Sequence, residues 1–154
     1  MAKRAATKRI GKAAGDSVHR RHNPRSIPVN PNYSQGLEAA PGSRLLAIAG
    51  QVGRDAKGRI PAGIDAQATL AWSNVKAVLK AAGMDVNDLV HYFSFLVRRE
   101  DNAGYDKARI KALGGARPSS TKVFSSGLAR PELLCEVQAF AAKADRVKPK
   151  PLKR

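Results

Sequence analysis

The sequence is poor in cysteine and has no long apolar run. Cys135 is the single cysteine, so no disulfide can form within the chain and no thiolate zinc site can be built. No stretch approaches the roughly 18 uninterrupted apolar residues of a membrane span. No charged segment leads into an apolar one, as it would in a secretory signal. We therefore expect the chain of 154 residues to hold one domain, and the protein to be soluble and cytoplasmic with no membrane partner.

Acidic residues are also few, because 12 Asp and Glu stand against 28 Lys and Arg, giving a formal charge of +16. Most of the excess lies in residues 1–25, with eight basic residues, and in 143–154, with six. We predict a basic, flexible N-terminal arm over 1–28, a globular domain over 29–143 and a basic C-terminal tail over 144–154. The arms could bind nucleic-acid phosphates, but they lack interleaved aromatics for base stacking, which favours solvated tails.

Between the two ends, hydrophobic periodicity predicts five strands and two helices. In chain order these are strands 33–40 and 44–52, a helix over 65–82, a central strand over 89–97, a helix from Asp101 to Gly114, and strands near 120–125 and 133–142. Pro41 and Gly42 predict a turn that joins the first two strands into a hairpin. Asp65 is expected to cap the long helix and Asp101 the shorter one. The order ββαβαββ predicts an α+β fold with both helices on one face of a sheet.

The last predicted strand is apolar on both sides. Cys135 and Val137 share one side, while Glu136 and Phe140 share the other. One side can face the helices, but nothing in the sequence covers the second. An uncovered apolar sheet face is a liability in water, so we expect the protein to associate with itself.

Several short motifs resemble the RidA family, also called YjgF or L-PSP. They are Asn32-Tyr33-Ser34-Gln35, Ala49-Gly50-Gln51, the NVKAVLKAAG of residues 74–83, and Arg117-Pro118 followed by Leu134-Cys135-Glu136-Val137. The likeness spans residues 30–142, and the order and spacing of the motifs are more specific than any one of them. The resemblance implies the chorismate-mutase-like fold with a mixed sheet, and a homotrimer with small-molecule clefts between subunits. It also implies an enamine/imine deaminase in which an arginine binds the substrate carboxylate and a glutamate positions water.

Three residues match pocket positions of that family. The resemblance makes Glu136 the water-positioning catalytic glutamate, Tyr33 a substrate-binding tyrosine, and Gly50 a glycine that lets a ligand approach closely. Each position also has a structural interpretation. The glutamate could be held by backbone donors, the tyrosine could pack at a sheet edge, and the glycine could mark a bulge.

Ser120 occupies the position of the family's carboxylate-binding arginine, because this chain reads Arg117-Pro118-Ser119-Ser120-Thr121 where the family reads Arg-Pro-Ala-Arg-Ser/Thr. A guanidinium offers two parallel charge-assisted hydrogen bonds, whereas a hydroxyl offers one neutral donor. Lys122 should share a strand face with Ser120 at about 6–7 Å, and it is our candidate for a replacement cation. The alternative is that Lys122 reaches solvent or pairs with an acidic residue of a neighbouring subunit.

The sequence is compatible with three functions, and it leaves open whether the chain is an enzyme. The first is a trimer that binds a small carboxylate or other anion without standard deaminase activity. The second is the 2-iminobutanoate/2-iminopropanoate deaminase, a hydrolase, which would require another cation in the arginine's place. The third is an RNA-binding, endoribonuclease or translation-initiation-inhibitor role that uses the basic arms. We expect no metal and no cofactor, because no phosphate-binding glycine motif or metal-ligand cluster is present.

Overall fold

The β-structure consists of a short two-stranded ribbon and a four-stranded sheet. The computed structural model describes residues 19–144. Its elements are β1 (Arg20–His22), β2 (Gly36–Glu38), β3 (Ser43–Val52), α1 (Ile64–Ala81), β4 (Leu89–Leu96), α2 (Asn102–Leu113), β5 (Ser119–Phe124) and β6 (Cys135–Ala144). The ribbon is β1–β2, and the sheet has the order β3-β6-β4-β5. Only the β4–β5 pair in this sheet is parallel, so the predicted mixed α+β architecture is confirmed.

Part of the predicted N-terminal arm packs on the domain. Strand β1 pairs antiparallel with β2, and His19 is buried, with its Nε2 donating to the Ala142 carbonyl at 2.8 Å. Residues 1–18 and 145–154, which hold the rest of the predicted arm and almost all of the predicted tail, lie outside the described residues.

The predicted hairpin about Pro41 and Gly42 is wrong, although the turn exists. Ser43 N donates to Ala40 O at 3.2 Å, and Gly42 has a φ of +71°. The preceding strand, β2, pairs with β1, whereas the following strand, β3, pairs with β6. A turn signal fixes where the chain reverses. The turn motif does not predict which strand pairs with which, because pairing depends on packing between residues far apart in the sequence.

Both helices lie close to their predicted bounds, but their N-termini differ from the prediction. Gly63, with a φ of +80°, is the N-cap of α1, and Asp65 lies in its first turn. There the carboxylate still interacts favourably with the positive end of the helix dipole. Asp101 precedes α2 as predicted. Its carboxylate does not cap the helix but accepts two bonds from Arg98, at 2.7 and 2.9 Å.

The core lies between the two helices and one face of the sheet, as predicted. The buried residues of α1 recur at helical spacing, and those of β4 and β6 alternate over Tyr92–Leu96 and Cys135–Ala141. They include Ala68, Ala71, Trp72, Val75 and Leu79 from α1, and Ile48, Tyr92, Leu96, Cys135, Val137 and Ala139 from the sheet. Each large apolar side chain buried here contributes about 1.5–3 kcal/mol to stability.

No helix among residues 19–144 covers the other face of the sheet, which we call the open face. On it, His91, Phe93 and Phe95 of β4 and Phe140 of β6 are only half-buried. The Phe93 and Phe95 rings stack with centroids 6.2 Å apart, and the His91 ring meets Phe93 edge-on at 4.6 Å. Leu45 of β3 is 69% exposed. This is the apolar face that the sequence predicts to need a partner.

The buried side chain of Gln67 ties α1 to the loop that enters β6. Its Nε2 donates to Pro61 O at 3.0 Å and to Glu132 O at 2.9 Å, and its Oε1 accepts from Leu134 N at 2.9 Å. Gly53 makes room for this contact, because a Cβ there would lie 2.5 Å from the Gln67 Cα. These bonds fix the start of β6, the strand that carries Glu136.

Gln67→Leu should therefore destabilise the protein. Leucine has a similar volume, but it leaves the Leu134 N–H and the Pro61 and Glu132 carbonyls without these partners. Buried unpaired groups cost about 1–3 kcal/mol each, so we expect the free energy of unfolding in urea to fall by about 2–4 kcal/mol. The control Thr69→Ala, at an exposed position of the same helix, should change it by less than about 0.5 kcal/mol. Equal losses would contradict this account.

Candidate functional site

A cleft of about 330 Å³ opens on the helix-covered side of the sheet, at the β5 edge. Most of its wall is polar. The lining residues are Asn30, Asn32, Tyr33, Tyr92, Ser94, Asp106, Arg109, Ser120, Thr121 and Lys122. Three of the five residues predicted for the site, Tyr33, Ser120 and Lys122, thus lie in one cleft.

The parallel pairing of β4 with β5 positions four of these residues. Tyr92 lies opposite Ser120, and Ser94 lies opposite Lys122. Residues opposite one another on neighbouring strands share a face of the sheet, and here that face is covered by α2. The structure therefore brings Ser120 and Lys122 together on one wall of the cleft.

Tyr33 reaches the same cleft because its neighbour, Ser34, anchors the segment before β2. The Ser34 hydroxyl donates to Arg117 O at 2.6 Å, and Ser34 N donates to Pro118 O at 3.2 Å. Both acceptors lie just before β5, so the anchor holds the half-buried Tyr33 beside the start of the strand that carries Ser120.

Two cations share one carboxylate on the wall formed by α2. Lys122 Nζ donates to Asp106 Oδ1 at 2.6 Å and to Asn102 Oδ1 at 2.8 Å. Arg109 Nε donates to the same Asp106 oxygen at 3.0 Å, and its Nη1 donates to the Tyr92 hydroxyl at 3.2 Å. We call Asp106, Arg109 and Lys122 the Asp106 cluster. It carries one net positive charge into a cleft that has no other charged lining residue.

One alternative raised by the sequence is that Lys122 pairs with an acidic residue of a neighbouring subunit. Lys122 does pair with an acidic residue, but this is Asp106 of its own chain. Besides its bonds to Asp106 and Asn102, its ammonium lies 5.4 Å from the centre of the Tyr105 ring. The lysine therefore forms part of the cleft wall, and much of its charge is neutralised there.

Arg109 is not among the residues singled out from the sequence. It follows Tyr105 by four residues and precedes Leu113 by four, so it lies on the buried face of α2. Its side chain is 9% exposed. Burial opposes its charge, but the Tyr92 hydroxyl and the Asp106 carboxylate outweigh burial and raise the Arg109 pKa. An arginine at an inward position of a short helix is the sequence signal that could have identified it.

Glu136 and Gly50 lie elsewhere in this chain. Glu136 is opposite Phe95 on the open face, whereas Ser120 is opposite Tyr92 on the helix-covered face. A single chain therefore does not bring Glu136 into the cleft. Gly50 lines a separate, shallow depression at the end of β3.

Gly50 and Glu136 are instead packed against one another. The β3–β6 register shifts between Ile48 and Gln51, so Gly50 sits in a bulge. The Glu136 carboxyl group crosses this bulge, because a Cβ on Gly50 would lie 1.6 Å from Glu136 Oε1. The space left by the missing side chain is filled by the glutamate in this structure.

Two further titratable residues, Cys135 and His91, do not line the cleft. Cys135 is fully buried in the core, and burial raises the pKa of its thiol to about 12. His91 on the open face bonds the Ser119 hydroxyl at 2.9 Å, and burial lowers its pKa. Within residues 19–144, no three His, Cys, Asp or Glu residues are grouped so as to hold a metal ion. Nor does that part of the chain contain a helix long and apolar enough to cross a bilayer.

Sequence comparisons place this architecture among known proteins. The family model described as Endoribonuclease L-PSP matches residues 24–143. A RutC family protein from Pyrococcus horikoshii is 34% identical over 118 residues, covering 75% of this chain and 90% of the relative. A RutC family protein from Saccharolobus solfataricus is 31% identical over 119 residues, covering 76% and 90%.

Solved structures agree with the sequence matches. A Rid family protein of unknown function from Yersinia pestis aligns with a TM-score of 0.72 at 31% identity, covering 81% of this chain and 98% of that one. TdcF from E. coli, crystallised with bound serine, aligns with a TM-score of 0.62 at 27% identity, covering 76% and 91%. These matches confirm the chorismate-mutase-like fold.

Gly50→Ala should displace the carboxyl group of Glu136. The new Cβ would lie 1.6 Å from Glu136 Oε1 and 2.6 Å from its Cδ, so the glutamate must change rotamer. Because the displaced group is the end of a flexible, half-buried side chain, we expect the free energy of unfolding to change by no more than about 1 kcal/mol. Gly127→Ala is the control, because a Cβ there meets nothing within 4 Å. A crystal structure of Gly50→Ala with Glu136 unmoved would refute this packing argument.

Proposed function

Because the chain belongs to the RidA family, also called YjgF or L-PSP, we propose that it forms a homotrimer that binds a small carboxylate-bearing metabolite in clefts between its subunits. We further propose that it lacks the standard imine deaminase activity. The observation that carries this proposal is that Ser120, in the position of the family's carboxylate-binding arginine, lines a cleft that still holds net positive charge.

Self-association is supported by the open face and by the division of the site residues. Phe93, Phe95 and Phe140 are half-buried on a face without covering helices among residues 19–144. Glu136 belongs to the same face, so it can approach the cleft containing Ser120 only from a second copy of the chain. The number three comes from the family resemblance, whereas the need for a partner comes from the sheet itself.

A carboxylate is the ligand class that suits the cleft. Two cations against one carboxylate leave one positive charge to be balanced, and a carboxylate group supplies one negative charge at neutral pH. Serine, which is bound in the related TdcF structure, also carries a carboxylate. Tyr33 adds a hydroxyl and a ring that can orient the rest of the ligand.

Ser120 argues against deamination of the family type. At the position where the family's arginine would offer two parallel N–H donors, Ser120 offers one hydroxyl. A ligand held by groups from another element would not sit in the same orientation towards a water-activating glutamate. Misplacement of a reacting group by as little as about 1 Å can reduce a rate by roughly a hundredfold.

Light scattering of the purified protein should give a mass of three times the 16.5 kDa chain. Phe93→Glu, which places a charge in the middle of the open face, should dissociate the trimer because a buried unpaired carboxylate costs several kcal/mol. Ile110→Glu, at a residue of α2 that is 50% exposed, is the matched control and should leave the mass unchanged. A monodisperse monomer for the unaltered chain would rule out the assembly.

In assays that follow pyruvate released from 2-aminoacrylate, the unaltered protein should be no faster than the uncatalysed reaction. Ser120→Arg restores the fork on β5 and should raise the rate by about tenfold or more if the rest of the site is in place. Ser120→Lys is the control, because it adds the charge without the fork. If the unaltered protein matches a relative that has the arginine, the proposed loss of deaminase activity is wrong.

A further inference from the structure

Helix α2 places an arginine, Arg109, in the wall of the cleft. We propose that Arg109 of α2 binds the carboxylate of the ligand, replacing the arginine that the family has at the position of Ser120. We further propose that Asp106 sets the strength of that binding. This inference rests on the proposed function, since it identifies the group that recognises the ligand in the same cleft.

The guanidinium of Arg109 has donors left for a ligand. A guanidinium carries five N–H groups, and only two of them are used within residues 19–144, one by Asp106 and one by the Tyr92 hydroxyl. Its Nη2 makes no hydrogen bond in that part of the chain. The residue lines the cleft and keeps 8% of its surface exposed. The group is therefore held through its Nε and Nη1 atoms, with its Nη2 donors available.

Lys122 is less suited to this role, although it is the other cation of the cluster. Its ammonium approaches Asp106 at 2.6 Å, closer than the 3.0 Å of Arg109, and it has a second acceptor in Asn102. A ligand would have to compete with both acceptors. Lys122 also lacks a planar fork, so it contributes charge to the cleft without fixing the orientation of a carboxylate.

Tyr92 links Arg109 to Ser120, the position at which the family has its arginine. Its hydroxyl accepts from Arg109, and its strand position lies opposite Ser120. The short serine side chain occupies little of the cleft beside this pair. A carboxylate held by Arg109 could therefore take a further hydrogen bond from the Ser120 hydroxyl.

The net charge of the Asp106 cluster favours a monocarboxylate. Asp106 neutralises one of the two cations, so a single negative charge completes the balance, and a phosphate dianion would leave one in excess. Neutralising Asp106 should then strengthen carboxylate binding, because it removes one negative charge beside the ligand. A purely structural role for Arg109 predicts no such gain.

The test is a titration of propionate, uncharged propionamide and inorganic phosphate into the full-length protein at constant ionic strength, followed by NMR. Propionate should bind, propionamide should not, and phosphate should bind more weakly than propionate. Arg109→Gln should weaken propionate binding by about tenfold or more, as expected for a lost charge-assisted bond. Lys107→Gln, an exposed residue of the same helix, is the control for loss of one charge and should have little effect.

Asp106→Asn separates ligand recognition from stability. The double variant Asp106→Asn/Lys122→Gln should bind propionate more tightly than Lys122→Gln alone. Both proteins lack Lys122, so the gain in affinity comes through Arg109. If Arg109→Gln does not fold, this comparison decides, and an unchanged affinity overturns the assignment. Equal propionate affinities for folded Arg109→Gln and the unaltered protein overturn it as well, while the proposed function stands. Failure of the unaltered protein to bind either anion overturns the proposed ligand class and this inference together.

Discussion

The alternation of side chains across a single sheet is the constraint on which the whole site depends. Neighbouring residues of a strand face opposite sides, so each strand divides its residues between the helix-covered face and the open face. Ser120 and Tyr92 fall on the first, and Glu136 falls on the second with Phe95. The groups that the family resemblance assigns to one pocket are therefore separated within one chain. Assembly through the open face would both cover the exposed aromatics and bring the two sets of groups together.

The Asp106 cluster is a costly arrangement for a small domain. Removing a guanidinium from water costs several kcal/mol, and a buried ion pair seldom returns more than it costs. Arg109 keeps its charge because Asp106 and the Tyr92 hydroxyl are both within hydrogen-bonding distance. An apolar residue at this inward position of α2 would pack against the core without that cost. Stability alone therefore does not account for the retained charge, which is the charge that the proposed carboxylate ligand would need.

Much of the fold could be predicted from periodicity, because the strength of the pattern reflects the depth of burial. The alternation through β6 and the helical spacing along α1 both describe the core as observed. The partner of β3 could not be predicted, since the turn at Gly42 is local and the pairing with β6 is not. Nor could the contact between Gly50 and Glu136, because it depends on a bulge that joins residues far apart in the sequence. Arg109 lay in a recognisable helix, but its partners come from β4 and from α2 itself.

Most of the residues that stabilise the core differ from those that line the cleft. The core depends on the inward residues of β6 and α1, none of which lines the cleft. Ser120 and Arg109 come from β5 and α2, so a cation can reach the cleft from either element. Tyr92 belongs to both the core and the cleft wall. A family match then predicts the backbone more reliably than the ligand, because function resides in the site. In this chain the side chains of α2 that enter the cleft are the part of the sequence most informative about the ligand.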